Sequence, residues 1–238
     1  MAAATTRALL VDIEGIDGSG KGTQAARLCQ RLTAEGVSCG LLSFPRYSAT
    51  LFGRAVGEFL NGAFGTLDQV HPFLVSLLFA GDRFESRETL RQLLEAHDVV
   101  VLDRYVPSNI AHQAAKVRGA ERTELMSRIL EIEHRLYGLP RADLVLWLDL
   151  PVATAQRLVE RKARRDYTER VADLQEADGA YLGEVAEVYR QLARTEPGWR
   201  AIECAPGDEL LTVDAVHERV WDVVSGRLAA HSAGRARP

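Results

Sequence analysis

Cysteine is scarce in this sequence. Cys29, Cys39 and Cys204 are the only three in 238 residues. They are too few and too scattered for a disulfide framework or a cysteine-based metal knuckle, and they read as small hydrophobes of a reducing compartment. Long apolar runs are also missing, and nothing approaches the roughly 20 residues that span a bilayer. The opening MAAATTR carries no signal-peptide core, and the short apolar run behind it already holds Asp12 and Glu14, so it predicts a strand of a cytoplasmic protein. A formal net charge of −4 argues against a general nucleic-acid binder. There is no internal repeat, no low-complexity segment and no linker. No Cys/His or Ser/His/Asp set falls on motif positions, and His71, His97, His134, His217 and His231 lie in helical or terminal contexts that read as structural or solvated. What remains, 47% hydrophobic and 26% charged, suits one large α/β domain over residues 1–238.

What the sequence does hold is concentrated in Ala8 to Thr23, ALLVDIEGIDGSGKGT. An apolar run, Leu9 to Ile13, leads into Gly15, Ile16, Asp17, Gly18, Ser19, Gly20, Lys21, Gly22 and Thr23, and a helical pattern follows. This is the GxxxxGK spacing of a phosphate-binding P-loop between a strand and a helix. Glycines permit close backbone approach, so loop N–H groups and the helix N-terminus face an anion. Lys21 adds a mobile positive charge for β- and γ-phosphates. The Ser or Thr expected directly after the lysine, the usual Mg²⁺ ligand, is replaced by Gly22, with Thr23 one place later.

Strands are predicted at Leu9–Glu14, Val37–Phe44, Val99–Leu102, Asp143–Leu150 and Arg200–Cys204. Helices are predicted from the P-loop to about Glu35, then over Thr50–Leu60, Asp68–His97, Ser108–Val117, Glu121–Tyr137, from Pro151 onward, Ala177–Ala193 and Asp214–Leu228, with 229–238 a frayed tail. Regular alternation implies a doubly wound, five-stranded parallel sheet flanked by helices, with ligands outside the carboxyl ends of the strands.

Residues just after strands are therefore informative. Asp17 lies beside the phosphate path and reads as a metal or acceptor partner, or as an Asp chosen for its turn preference. Asp103-Arg104 follows a buried strand. Asp103 reads as a Mg²⁺-water partner and Arg104 as a bidentate phosphate grip, with a surface salt bridge as the alternative. Phe79 and Arg83 lie four apart on one helix face and could hold a flat base, although Phe79 among leucines also suits a core. Glu160 to Arg170 packs Arg161, Arg164 and Arg165 into a short basic stretch. That stretch is either a solvated helix end or a lid over about 160–172 that closes on phosphates.

Together EGIDGSGKGTQ (14–24), FPRY (44–47), LLFAGDR (77–83) and LDRYVPSN (102–109) resemble the thymidylate kinase family of P-loop nucleoside monophosphate kinases, and the match runs from about Leu9 to Leu228. The resemblance implies a three-layer P-loop NTPase fold and Mg²⁺-dependent transfer of the ATP γ-phosphoryl group to dTMP, in a homodimer. Carried over by residue, it implies that Phe79 stacks on thymine, Arg83 reads the base edge, and Arg104 and Arg46 hold the dTMP phosphate. Asp17 helps organise Mg²⁺, with Thr23 and Asp103 as further metal candidates. Phe44, Pro45 and Tyr47 pack near the acceptor, and Ser108, Asn109, His112 and Gln113 line the nucleoside pocket. Gly18 stands where one branch of the family carries an arginine, so the catalytic guanidinium is expected from Arg161, Arg164 or Arg165, as in the mostly bacterial branch. His112 stands where the family usually has an aromatic crowding the sugar 2′ position.

Overall fold

The apolar runs form five strands that pair in parallel throughout: β1 (Leu9–Glu14), β2 (Cys39–Ser43), β3 (Val99–Asp103), β4 (Leu144–Asp149) and β5 (Trp199–Glu203), in the order β2-β3-β1-β4-β5. The structure, a computed structural model, describes residues 8–66, 69–160 and 179–235. Among them are α1 (Lys21–Ala34), α2 (Leu51–Leu60), α3 (Pro72–Glu85), α4 (Arg87–Ala96), α5 (Val106–Ala114), α6 (Gly119–Leu130), α7 (Val152–Glu160), α8 (Gly179–Thr195) and α9 (Val213–Arg235).

The strand order divides the helices between two faces. The β1-to-β2 crossover runs toward one edge, whereas β2-to-β3, β3-to-β4 and β4-to-β5 run the other way. Right-handed crossovers therefore place α1 on one face and α4, α5 and α8 on the other. The packing agrees: α1 packs on α9, and α5 packs on α3, α6 and α8. With both faces covered, β1 is buried along its whole length, including Asp12 and Glu14. This is the doubly wound three-layer architecture implied by the sequence.

The register sets the site. Ile13 and Ser43 both pair with Asp103, so the central strands end level. Two bonds then bind the loops together: the Phe44 N–H donates to the Asp103 carbonyl at 3.0 Å, and the Arg104 N–H donates to that of Ile13 at 3.1 Å. The three strand-end motifs therefore meet above one edge of the sheet.

Four expectations are corrected. The stretch expected as one helix to His97 is two, divided at Ser86, whose buried hydroxyl takes an Arg46 hydrogen bond at 3.3 Å; Asp68, its expected start, lies outside the described residues. The helix expected over Glu121–Tyr137 begins at Gly119 and changes to a π-helical turn over Glu131–Leu136, which turns Glu133 into the interior. The last helix continues to Arg235, so 229–235 is helical and not a frayed tail. Finally, Cys29 and Cys39 are joined as a disulfide, with Cα atoms 5.4 Å apart, because the turn after α1 folds its C-terminal half back beside the start of β2. Cys204 is free and buried.

Candidate active site

The P-loop leaves β1 at Gly15. Gly15, Gly18 and Gly20 all take positive φ. At Gly18 this is also a matter of space, since a Cβ there would lie 2.3 Å from the Ala155 carbonyl oxygen of α7. Gly20 is the N-cap of α1 and supplies no side-chain cap, so the first N–H groups of the helix remain available to an anion. The Ser19 hydroxyl is buried and has no partner among the described residues. The Lys21 ammonium is folded onto the loop, donating to the Ile16 carbonyl at 2.8 Å, and lies 3.9 Å from Asp17 Oδ1. Burial, and after it repulsion from Arg104, lower Lys21 to a pKa of about 8.

The glycine after the lysine has a structural counterpart. A Cβ at Gly22 would come 2.9 Å from Asp103 Oδ2, so the Asp103 carboxylate abuts the place that a Ser or Thr side chain would fill. Thr23 points outward and is exposed.

Opposite the loop, Arg104 pairs with Asp17 through Nη2 and donates from Nη1 to Ser108 Oγ at 3.1 Å. The same Asp17 oxygen thus lies between Arg104 and Lys21. Arg46, expected beside the acceptor phosphate, is bonded to the neighbouring helices. Its guanidinium is tied to Ser86 and to Thr89, at 3.4 Å, on α4, and its N–H to Asp82 at 2.9 Å. It does not line the cavity beyond Asp17, whereas Phe44, Pro45, Tyr47, Phe79, Arg83, Arg104, Ser108, Asn109, His112 and Gln113 do. Leu60, which the sequence did not single out, closes the same cavity.

The inner end of this cavity is built on one buried ion pair. Arg83 is 2% exposed and Glu133 0%. Arg83 donates from Nε to Glu133 Oε2 at 2.5 Å and from Nη2 to Oε1 at 2.6 Å, which leaves Nη1 without a partner among the described residues. Asn109 Nδ2 joins the same carboxylate at 2.8 Å and the Ser76 carbonyl at 3.0 Å, and its Oδ1 is buried without a partner among the described residues. One helical turn on, Gln113 Oε1 accepts from Lys116 at 3.0 Å, and its Nε2 is likewise buried without a partner among those residues. A fixed acceptor and a fixed donor therefore share one face of α5 beside an arginine.

His112 completes the wall. The Tyr181 hydroxyl donates to the His112 carbonyl at 2.9 Å, so the imidazole Nδ1, 3.0 Å from the same hydroxyl, carries hydrogen and donates back, leaving Nε2 an acceptor. Burial first, then the charge of Arg104, hold His112 neutral with a pKa of about 3.

Arg161, Arg164 and Arg165, and the expected lid over about 160–172 beyond Glu160, lie outside the described residues. The sequence reading missed Glu133, Tyr181, Tyr189 and Glu14. Glu133 left a signal: with Leu125 and Ile129 it completes an i, i+4, i+8 series on the buried stripe of its helix. Glu14 left another, a carboxylate at the end of an apolar strand. The two tyrosines left none.

A doubly wound parallel sheet whose central strand feeds a P-loop, facing an arginine-lined pocket across a shared aspartate, defines a P-loop phosphotransferase. A family profile described as "Thymidylate kinase" matches residues 13–214. The thymidylate kinase of Mycobacterium tuberculosis is 35% identical over 231 residues, covering 93% of this chain and 96% of the relative. That of a Synechococcus strain is 30% identical over 234 residues, covering 95% and 99%. Thymidylate kinase from Candida albicans has a similar solved structure, with a TM-score of 0.70, 26% identity and coverage of 93% of this chain and 92% of that one. The chain belongs to the thymidylate kinase family.

Removing one partner of a buried pair leaves an uncompensated charge. Glu133→Ala is therefore expected to lower stability by about 3–5 kcal/mol in urea denaturation. The double variant Arg83→Met/Glu133→Leu is expected to recover most of that loss; a double variant no more stable than the single would show that the cost is not one of charge.

Proposed function

We propose that this enzyme transfers the γ-phosphoryl group of ATP to dTMP, giving dTDP and ADP. The observation that carries the choice of acceptor is the set of hydrogen-bonding atoms, on residues that line the cavity, that have no hydrogen-bond partner among the described residues. Arg83 Nη1 and Gln113 Nε2 are donors and Asn109 Oδ1 is an acceptor. Thymine offers two carbonyls and one N–H, which suits two donors and one acceptor. Phe79 lines the same cavity as a stacking surface, with Phe44, Pro45 and Tyr47 closing the acceptor side.

The roles along the transfer path follow from charge. Gly15 to Thr23 cradle the ATP phosphates, Lys21 meets their β- and γ-oxygens, and Arg104 holds the acceptor phosphate. Asp17, between the two cations, offsets their mutual repulsion until the phosphates arrive. Arg161, Arg164 and Arg165 are the candidates for guanidinium charge at the transferring group, and Arg46 supports the acceptor loop from its bonds to Ser86 and Thr89. Transfer of this kind asks the protein for alignment and charge stabilisation, which these groups supply.

The donor set suits Mg²⁺. Asp103 stands against Gly22 where the missing hydroxyl would be, and Asp17 is the other carboxylate of the site. Mg²⁺ takes one or two carboxylates and completes its shell with nucleotide phosphates and water. When bound, Mg²⁺ neutralises charge developing on the phosphates. Thr23, exposed one turn position away, is the weaker candidate. We also read the enzyme as a cytoplasmic homodimer, in which exposed Leu51 on α2 and Leu74 on α3 would meet a second copy. No described helix is long and apolar enough to cross a membrane.

A coupled ADP-release assay across dTMP, dUMP, AMP and thymidine tests the reading. dTMP should give the highest kcat/KM, and a preference for AMP or thymidine would contradict it. A pH profile tests the lysine. Because kcat/KM reports the free enzyme, its value for ATP should hold level below a pH of about 8 and then fall by about a decade per unit as Lys21 loses its proton. A profile level up to about 10, the ordinary lysine range, would mean that Lys21 is not the group required.

A further inference from the structure

Glu14 closes the apolar strand β1 and is 0% exposed. A carboxylate removed from water destabilises the fold unless donors surround it. Four do. Its Oε1 accepts from the backbone N–H of Tyr105 at 2.8 Å and of Ser108 at 3.0 Å; its Oε2 accepts from the Ser108 hydroxyl at 2.6 Å and the Tyr189 hydroxyl at 2.7 Å. Both oxygens are thus held from α5 and α8, two elements distant in sequence.

The two N–H groups belong to the start of α5. Tyr105 is its N-cap and makes no side-chain cap, Pro107 has no N–H to offer, and Ser108 is the third helical residue, whose N–H an N-cap side chain ordinarily takes. Glu14 therefore caps α5 from another element, with its negative charge at the positive end of the helix.

The residue just before that cap is Arg104, and it sits at φ 69, a left-handed conformation uncommon outside glycine. The chain on either side of it hangs from consecutive residues of β1. The Arg104 N–H donates to the Ile13 carbonyl at 3.1 Å, and the next N–H, of Tyr105, donates to Glu14. The tip is held by the same carboxylate at one remove, since Arg104 Nη1 donates to Ser108 Oγ, which donates to Glu14. Nη2 meets Asp17.

We propose that Glu14 is a positioning residue for the acceptor phosphate. It fixes Arg104 in its left-handed backbone conformation and braces the guanidinium through Ser108, so that the arginine faces the acceptor across Asp17. Through Tyr189 it also fastens α8, the helix that follows residues 161–178, to the same anchor. The proposal rests on the reading of Arg104 as the acceptor-phosphate residue.

The two ideas separate in one experiment. Binding of dTMP and of thymidine, which shares the base and sugar and lacks the phosphate, is measured calorimetrically for the wild type, Glu14→Gln, Ser108→Ala and Arg104→Ala, with circular dichroism to check folding. Glu14→Gln preserves shape and removes the charge. It should weaken dTMP by about tenfold or more, the scale of losing charge-assisted orientation, while thymidine changes by less than about twofold. Ser108→Ala should weaken dTMP by about threefold to tenfold with the same selectivity, and it stands in if Glu14→Gln does not fold. Equal losses for both ligands, or no loss for either, would overturn the proposal and leave Glu14 a fold residue only. If Arg104→Ala abolishes the advantage of dTMP over thymidine while Glu14→Gln and Ser108→Ala keep it, the positioning role fails alone. If Arg104→Ala keeps that advantage, the reading of Arg104 fails, and the proposal with it.

Discussion

A guanidinium shut away from water destabilises a fold unless an anion meets it, and one matched on every side has nothing left for a ligand. Arg83 lies between these limits. Glu133 engages Nε and Nη2 and leaves Nη1 over. The rest of the base pocket depends on that arrangement, because the same carboxylate orients Asn109 and thereby strands Asn109 Oδ1 as an acceptor. Glu133 reaches this place through a π-helical turn, a rare geometry in which the chain departs from regular winding and which often marks functional positions.

The same economy recurs along the edge of the sheet. Arg104 is matched by Asp17, and Lys21 by the Ile16 carbonyl with Asp17 close by. His112 is buried, neutral and held by Tyr181. Each group is satisfied enough to be tolerated in a dry site and remains able to exchange a weak partner for a phosphate. Helix α5 joins the two halves, since Ser108, bonded to Arg104, and Asn109 and Gln113 of the base wall lie within two turns of it.

Much of this was legible in the sequence, and for physical reasons. A strand buried on both faces reads as a continuous apolar run, and a P-loop needs its glycines at fixed spacing, so β1, β3, β4 and the phosphate loop could be placed closely. Motifs just after strands fall on the functional edge by topology alone, which is why Asp17 and Arg104 could be singled out from position, whereas Arg83, well inside α3, was read from the helix face that it shares with Phe79. What escaped depends on contacts distant in sequence. The break at Ser86 carries a hydroxyl that meets Arg46, forty residues away, and neither propensity nor period signals it. The bonds of Glu133 to Arg83 and of Tyr189 to Glu14 are likewise long-range. The disulfide joining Cys29 to Cys39 needed the turn after α1 to be known. The bonds of the Arg46 guanidinium to Ser86 and Thr89 are long-range in the same way.

The central claim is that the stranded atoms of the base wall select an imide edge. The most direct measurement is calorimetric binding of dTMP against 5-methyl-dCMP, which has the same outline, methyl group and phosphate but an acceptor at N3 and a donor at C4. Mispairing buried polar atoms costs about 1–3 kcal/mol each, so 5-methyl-dCMP should bind at least about tenfold more weakly. Equal affinity for the two nucleotides would contradict the account.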